Sequence, residues 1–158
     1  MKIFFIVLFF AAIVMIAILI SMSVMSKNWN APGLIDKKLT RCPDKPNCVC
    51  SEYKDDVKHY VEPIFIPDNM SNAEEILKII ITDMGGKIVS EKDKYIAVVF
   101  TSSIFKFADD LELRFDTDNG VIHIRSAARV GYSDMGVNKK RVETLKKLFA
   151  GRIDSNRN

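Results

Sequence analysis

Residues 110–130 read DLELRFDTDNGVIHIRSAARV, and the spacing of apolar and polar side chains in this stretch predicts a β-hairpin. Successive side chains of a strand point to opposite faces. The first strand, residues 110–116, therefore gathers its apolar side chains on one face: Leu111, Leu113 and Phe115. The second strand covers residues 121–130, and TDNG at 117–120 forms the loop between the two strands. We expect this hairpin to lie at the centre of an antiparallel sheet.

The charges of the hairpin predict how its two strands pair. A four-residue loop pairs Asp116 with Val121 and places Glu112 opposite Arg125. A two-residue loop would instead place Arg114 opposite Arg125. An opposite-charge cross-strand pair contributes about 0.2–1 kcal/mol, whereas like charges directly opposite each other are unfavourable. The four-residue loop is therefore predicted.

Elements on both sides of the hairpin indicate the fold class. Apolar residues between positions 73 and 84 recur at i, i+3 and i+4, which predicts an amphipathic helix. Two further strands are predicted at 87–91 and 95–102. A second amphipathic helix is predicted at 139–149, with Asn138 as its N-cap. The order of these elements predicts an α+β domain: an antiparallel meander of about four strands with two helices packed on one face.

An apolar segment precedes this domain. Residues 3–20 are 18 consecutive apolar positions without a polar side chain. As a helix they cover roughly 27 Å, close to the ~30 Å hydrocarbon thickness of a bilayer. A cleavable signal peptide is the alternative, with Lys2 as a minimal basic region, but this apolar run is longer than usual for one. Residues 1–26 are therefore predicted to be a single transmembrane helix that serves as membrane anchor or uncleaved signal.

The composition of the chain excludes some functions. It has 158 residues, 23 Lys+Arg against 20 Asp+Glu, and a net charge of +3. This balance does not indicate a nucleic-acid partner, even though the run 139–141 is basic. After the anchor we expect an irregular linker with Pro and Cys residues at 27–70, the α+β domain at 71–150, and a tail at 151–158.

Three cysteines, Cys42, Cys48 and Cys50, lie in the Pro-rich linker. In an exported domain, a Cys42–Cys48 disulfide would close a small loop and leave Cys50 as an odd thiol. The spacing matches no structural zinc pattern, so neither a metal nor a cofactor is predicted. The disulfide favours a domain on the periplasmic or outer side of the cell membrane, although basic residues after the segment do not favour its export.

Three segments carry a family resemblance: LTRCPDKPNCV at 39–49, DDLE at 109–112 and VIHIRSAARVGYSDMGVNKKR at 121–141. In these residues the chain resembles domain of unknown function 1499, an uncharacterised family of bacterial envelope and plastid proteins. The resemblance implies no activity, substrate or catalytic residue. It does imply positions that the family tends to keep: Cys42, Asn47, Cys48, Asp110, Arg125, Ser126, Arg129, Gly131, Asp134, Gly136, Asn138 and Arg141.

One function to consider is an enzyme, of hydrolase type, that uses a histidine and a carboxylate. His59 and His123 are the two histidines of the chain. The groups that could join them are Ser126, Ser133, Asp109, Asp110 and Asp134. No G-x-S-x-G elbow accompanies these serines, and members of the family often carry His and Glu where this chain has Ala97 and Val99. We expect His59 to make a structural contact and His123 to be a solvated neighbour of Arg114.

The favoured interpretation is a membrane-anchored envelope protein that acts as a non-enzymatic binding or structural module. Its partners would be membrane lipid and an envelope protein. Helix N-termini attract anions, and basic residues in a first helical turn do not stabilise the helix itself. This pattern predicts an anion or lipid-headgroup site formed by Arg125, Arg129, Tyr132, Asn138 and Arg141. The alternative is a structural network in which the arginines pair with acidic residues: Asp109, Asp110, Glu112 and Asp134.

Overall fold

The computed structural model describes residues 1–67, 70 and 72–155 of the chain. Three helices are present in these residues: α1 (Lys2–Lys27), α2 (Ala73–Asp83) and α3 (Val137–Ser155). The strands are β1 (Leu34–Ile35), β2 (Lys38–Leu39), β3 (Cys48–Cys50), β4 (Ile64–Phe65), β5 (Lys87–Lys92), β6 (Tyr95–Thr101), β7 (Ala108–Asp116) and β8 (Val121–Ala128).

The main sheet confirms the predicted α+β class but has six strands rather than about four. Its order is β3-β8-β7-β6-β5, with β4 also paired to β8, and every pair is antiparallel. β1 and β2 form a separate two-stranded sheet. The additional strands come from the linker predicted to be irregular. They are only two or three residues long, too short for an alternation of side chains to be recognised in the sequence.

The central hairpin has the predicted four-residue loop. Asp116 pairs with Val121, and Glu112 lies directly opposite Arg125. The like-charge pairing of Arg114 with Arg125 is avoided, because Arg114 lies opposite His123. β8 ends at Ala128, two residues before the predicted end of the strand.

Helices α2 and α3 cover one face of the main sheet, as predicted. The core between them contains fully buried apolar side chains: Leu77, Ile81, Val98, Leu111, Leu113, Ile122, Ile124 and Leu145. α3 continues past the predicted end at residue 149 as far as Ser155. The predicted tail at 151–158 is therefore largely helical within the described residues.

The linker segment covers the opposite face of the sheet. The predicted disulfide between Cys42 and Cys48 is present, with a Cα–Cα distance of 5.7 Å, and packs with Leu39 and Ala127 in a second apolar cluster. Cys50 is a buried free thiol, and its burial raises its pKa to about 11. Because the thiolate is the reactive form, this shift lowers the reactivity of Cys50 at neutral pH.

Helix α1 is long and apolar enough to cross a membrane. A signal sequence can have the same length and composition. Its last turn packs directly on the domain. The Ser26 hydroxyl accepts a hydrogen bond from the Ala108 backbone N–H at 3.0 Å, and the Ser23 hydroxyl donates to the Lys106 carbonyl at 3.3 Å. Both serines are buried. The end of α1 thus lies beside the start of β7.

Candidate functional site

The three arginines predicted as site residues each form an ion pair with a carboxylate of β7. The pairs are Arg125–Glu112 at 2.7 Å, Arg129–Asp110 at 2.7 Å and Arg141–Asp109 at 2.9 Å. These are three of the pairings that the structural-network alternative predicts. Buried ion pairs of this kind are weak evidence for stability, but removal of one partner leaves an uncompensated charge and is strongly destabilising.

The structure does not bring the five predicted site residues together. Adjacent residues of a strand point to opposite faces, so Asp109 binds Arg141 on the helix side while Asp110 binds Arg129 on the linker side. Burial raises the pKa of Asp109, and the Arg141 charge opposes that shift. Tyr132 lies in the β8–α3 loop with 68% of its surface exposed.

Asn138 has a different role from the predicted N-cap. It is the second residue of α3 and is 1% exposed. Its backbone N–H donates to the Asp134 carboxylate at 2.7 Å, and the Ser126 hydroxyl donates to Asn138 Oδ1 at 2.5 Å. Asp134 also accepts from the Gly136 N–H at 3.0 Å. A carboxylate of the chain itself therefore occupies the helix N-terminus that was predicted to attract an anion.

Arg125 and Arg129 line a cavity of 310 Å³ on the linker side of the sheet. The segment that follows α1 and the disulfide loop (residues 42–48) both contribute to its lining. Its other lining residues come from three places: the segment after α1 (Trp29, Asn30 and Pro32), the disulfide loop (Pro43, Lys45 and Asn47), and the sheet with its following loop (Asp110, Ala127, Ala128 and Gly131).

Two buried side chains of this cavity carry a polar atom without a partner. These atoms are Asn47 Oδ1 and Arg125 Nε, and no other buried side-chain atom of the described residues is in this state. Asn47 is 3% exposed and Arg125 is 6% exposed. The Asn47 amide nitrogen donates to the Gly131 carbonyl at 3.0 Å, which fixes the orientation of the amide. Each unpaired buried polar atom costs about 1–3 kcal/mol, and both atoms belong to side chains that line this cavity.

The charges around the cavity are nearly balanced. Lys45, Arg125 and Arg129 contribute three positive charges, against two negative charges from Asp110 and from the Arg125 partner, Glu112. Glu112 is completely buried and also accepts from the Gly33 N–H and the Tyr95 hydroxyl. Burial, together with the Glu112 charge, raises the pKa of Tyr95. The net charge around the cavity is therefore +1, which favours a ligand with one negative charge over a ligand with two.

His123 is packed among polar groups rather than solvated, which corrects the prediction. Its Nδ1 is hydrogen-bonded to the Ser51 hydroxyl at 3.2 Å, and Glu52 Oε2 lies 3.8 Å from the same nitrogen. Desolvation lowers the pKa of His123 below its usual value. A catalytic triad requires the serine and the carboxylate on different ring nitrogens, so these three residues do not form one.

His59 makes the predicted structural contact. It is 5% exposed, with Nδ1 2.8 Å from Asp56 Oδ1 and Nε2 donating to the Lys45 carbonyl at 3.0 Å. These bonds hold the disulfide loop against the following turn. Within the described part of the chain, no group of three or more His, Cys, Asp or Glu side chains could hold a metal ion.

Sequence reasoning found Arg125 and Arg129 but missed Asn47 and Trp29 as cavity residues, as well as Ser51 and Glu52 beside His123. All four residues belong to the linker segment, residues 27–70. No periodicity in the sequence indicates that this segment folds back over the polar face of the sheet.

Comparison with known proteins agrees with the resemblance in the sequence. No curated protein and no solved structure matches the chain. A family model described as "Protein of unknown function (DUF1499)" matches residues 38–149, which include seven of the eight strands, α2 and most of α3. The chain therefore belongs to the DUF1499 family of proteins of unknown function.

Proposed function

We propose that this protein is a membrane-anchored, non-enzymatic module of the cell envelope whose cavity beside α1 binds a phospholipid headgroup. The single observation that carries the proposal is that two residues lining that cavity each have a buried, unpartnered polar atom, Asn47 Oδ1 and Arg125 Nε. The domain would lie on the periplasmic or outer side, which the Cys42–Cys48 disulfide supports because such bonds persist in oxidising compartments.

The chemistry of the two atoms defines the ligand class. Arg125 Nε can only donate a hydrogen bond, so it requires an acceptor oxygen. Asn47 Oδ1 can only accept, so it requires a hydroxyl or ammonium hydrogen. A phosphodiester that carries a glycerol or ethanolamine group supplies both within a few bonds. The glycerol headgroup, with its single negative phosphate charge, also matches the net charge of +1 around the cavity.

The position of the cavity fits a ligand that is itself part of the membrane. Trp29 and Asn30, which line the cavity, lie two and three residues beyond the end of α1. With α1 in a bilayer, they would lie at the level of the headgroups.

Contacts of the last α1 turn support retention of the helix as an anchor. Arg129 Nη1 donates to the Ser26 carbonyl at 3.1 Å, and Ala108 N–H donates to the Ser26 hydroxyl. Cleavage after Ser26 would remove bonds that the folded domain makes. An uncleaved helix keeps them.

The hydrolase alternative has less support. The cavity is lined by neither histidine, and the serines considered in the sequence are engaged elsewhere: Ser126 with Asn138 and Arg141, and Ser133 with the Met135 N–H. Binding rather than catalysis is what the lining residues can perform.

The test uses the full-length protein in neutral detergent, with short-chain phospholipids as ligands. Phosphatidylglycerol and phosphatidylethanolamine should raise the melting temperature by several degrees, because ligand binding stabilises the folded state. Phosphatidylcholine, whose headgroup lacks a conventional hydrogen-bond donor for Asn47, should raise it less. Inorganic phosphate is included to separate a free anion from a lipid headgroup.

Arg125→Lys is the informative variant, because it keeps a charge for Glu112 but removes the Nε donor. Arg114→Lys is its matched control: Arg114 also pairs with a buried carboxylate, Glu52, but does not line this cavity. We expect Arg125→Lys to lose the lipid-dependent shift and Arg114→Lys to keep it. The proposal is wrong if no phospholipid stabilises the wild-type protein, which is the result expected for a cavity that holds only water. It is also wrong if both variants keep the full shift of the melting temperature.

A further inference from the structure

We infer that the domain also rests on the lipid surface through two loops beside α1, the β6–β7 loop (residues 102–107) and the β8–α3 loop (residues 129–136). This inference rests on α1 as the anchor of the proposed function but does not depend on the headgroup cavity.

Contacts with α1 fix the level of the first loop. Ala108, at the start of β7, is bonded to Ser26, whereas Lys106 is bonded to Ser23, one helical turn nearer the N-terminus. Going backwards from β7, the chain therefore runs along α1 toward the membrane. The tip of the loop, which contains Ile104 and Phe105, lies beyond this point.

The second loop reaches the same level of α1. A Cβ atom at Gly131 would lie 3.9 Å from Met22 Cε, so the backbone here is close to the helix. Hydrocarbon of ~30 Å corresponds to about 20 helical residues. Counted from Ile3, the first residue of the apolar run, that span ends at Met22. Both loops consequently lie at the boundary between hydrocarbon and headgroups.

The side chains of these loops suit that boundary. Ile104 is 79% exposed, Tyr132 68% and Met135 97%, and Phe105 is also exposed. Aromatic residues are enriched where membranes meet water, and apolar side chains gain from insertion there. Lys27 and Lys106 lie at the same end of the domain and suit lipid phosphates. We take the membrane to be the surface that both loops contact, because the helix that would cross it also fixes the position of both loops.

Tryptophan fluorescence in vesicles can test the inference on the full-length chain. The chain has a single tryptophan, Trp29, so a Trp29→Phe background is silent. Phe105→Trp and Tyr132→Trp then report on the two loops. Phe65→Trp is the matched control, because Phe65 is 66% exposed but pairs with Val121 at the other end of β8. The eight residue-to-residue steps from Ala108 to Asp116 along β7 span roughly 27 Å.

Phosphatidylcholine vesicles with bromine on the upper part of the acyl chain should quench both loop tryptophans at least three-fold more than the control. Aqueous iodide should show the reverse order. Alkaline extraction of the same vesicles reports separately on the anchor. Release of the protein would refute the anchor, whereas retained protein with no bromine quenching of either loop would refute the inference. Protection from both quenchers, as under a covering protein, would also refute it.

Discussion

Replacement of Arg129 tests the link between α1 and the sheet. Two of its nitrogens bind the Asp110 carboxylate at 2.7 and 2.9 Å, and a third donates to the Ser26 carbonyl at the end of α1. The side chains of both partners of the ion pair are nearly buried, with 6% and 5% exposed. Arg129→Gln leaves the Asp110 charge buried without compensation, which costs about 3–5 kcal/mol. For a chain of this size, the melting temperature should fall by roughly 6–20 °C.

The measurement is thermal unfolding of full-length protein in detergent, followed by circular dichroism. Asp110→Asn combined with Arg129→Gln removes both charges and should recover more than half of the loss. Lys58→Gln is the control: it breaks an exposed pair with Asp44 and should leave the melting temperature almost unchanged. If Arg129→Gln costs less than about 1 kcal/mol, or the double variant is no more stable than the single one, the reasoning about this buried pair is refuted.

Further predictions concern the compartment, the cysteines and His123. A reporter that is active only after export, fused after Asn158, should be active; a stable but inactive fusion would place the domain in the cytoplasm. Non-reduced, unfolded protein should show one alkylatable thiol, Cys50, by mass spectrometry, and three thiols would contradict the disulfide. Cys42→Ser combined with Cys48→Ser should lower the free energy of unfolding by about 2 kcal/mol, since the closed loop is short; an unchanged denaturation midpoint would contradict this. Folding lowers the pKa of His123, so below the ordinary histidine pKa the unfolded chain binds more protons than the folded chain. The contribution of His123 to stability is therefore full above about pH 6.5, and it is lost as the pH falls toward the pKa of the folded state. His123→Gln should flatten the melting-temperature profile between about pH 7.5 and 5.5, and an unchanged slope would argue against this assignment.

The parts of the fold that were predictable depend on local pattern. The alternation around Leu111 and the charges of Glu112 and Arg125 were enough for the hairpin and its register, which the structure confirms. The apolar spacing of α2 and α3 likewise indicated both helices. In each case the interacting residues are close in sequence or share one periodic element.

The parts that were missed depend on contacts between distant segments. The alternating strand predicted a polar face, and polar faces are usually solvated, but here the linker segment covers it. Gly33 binds Glu112, and Asn47 reaches the Gly131 carbonyl, across separations of 79 and 84 residues. Pairing at such a distance leaves no periodic signal in either segment. The cavity forms between these segments, so its composition could not be read from either one.

If α1 spans a bilayer, the Ser26 contacts limit how far the domain can reach from it. A flexible linker of n residues would let a domain explore roughly 5–6 Å × √n around its attachment point. Here the last turn of α1 is hydrogen-bonded to the sheet and to Arg129, so α1 and the domain move as one rigid body. With α1 in a membrane, these contacts would hold the domain at a fixed position relative to the bilayer surface. A partner must then approach the bilayer to meet this domain, because the domain cannot swing outward to search for it.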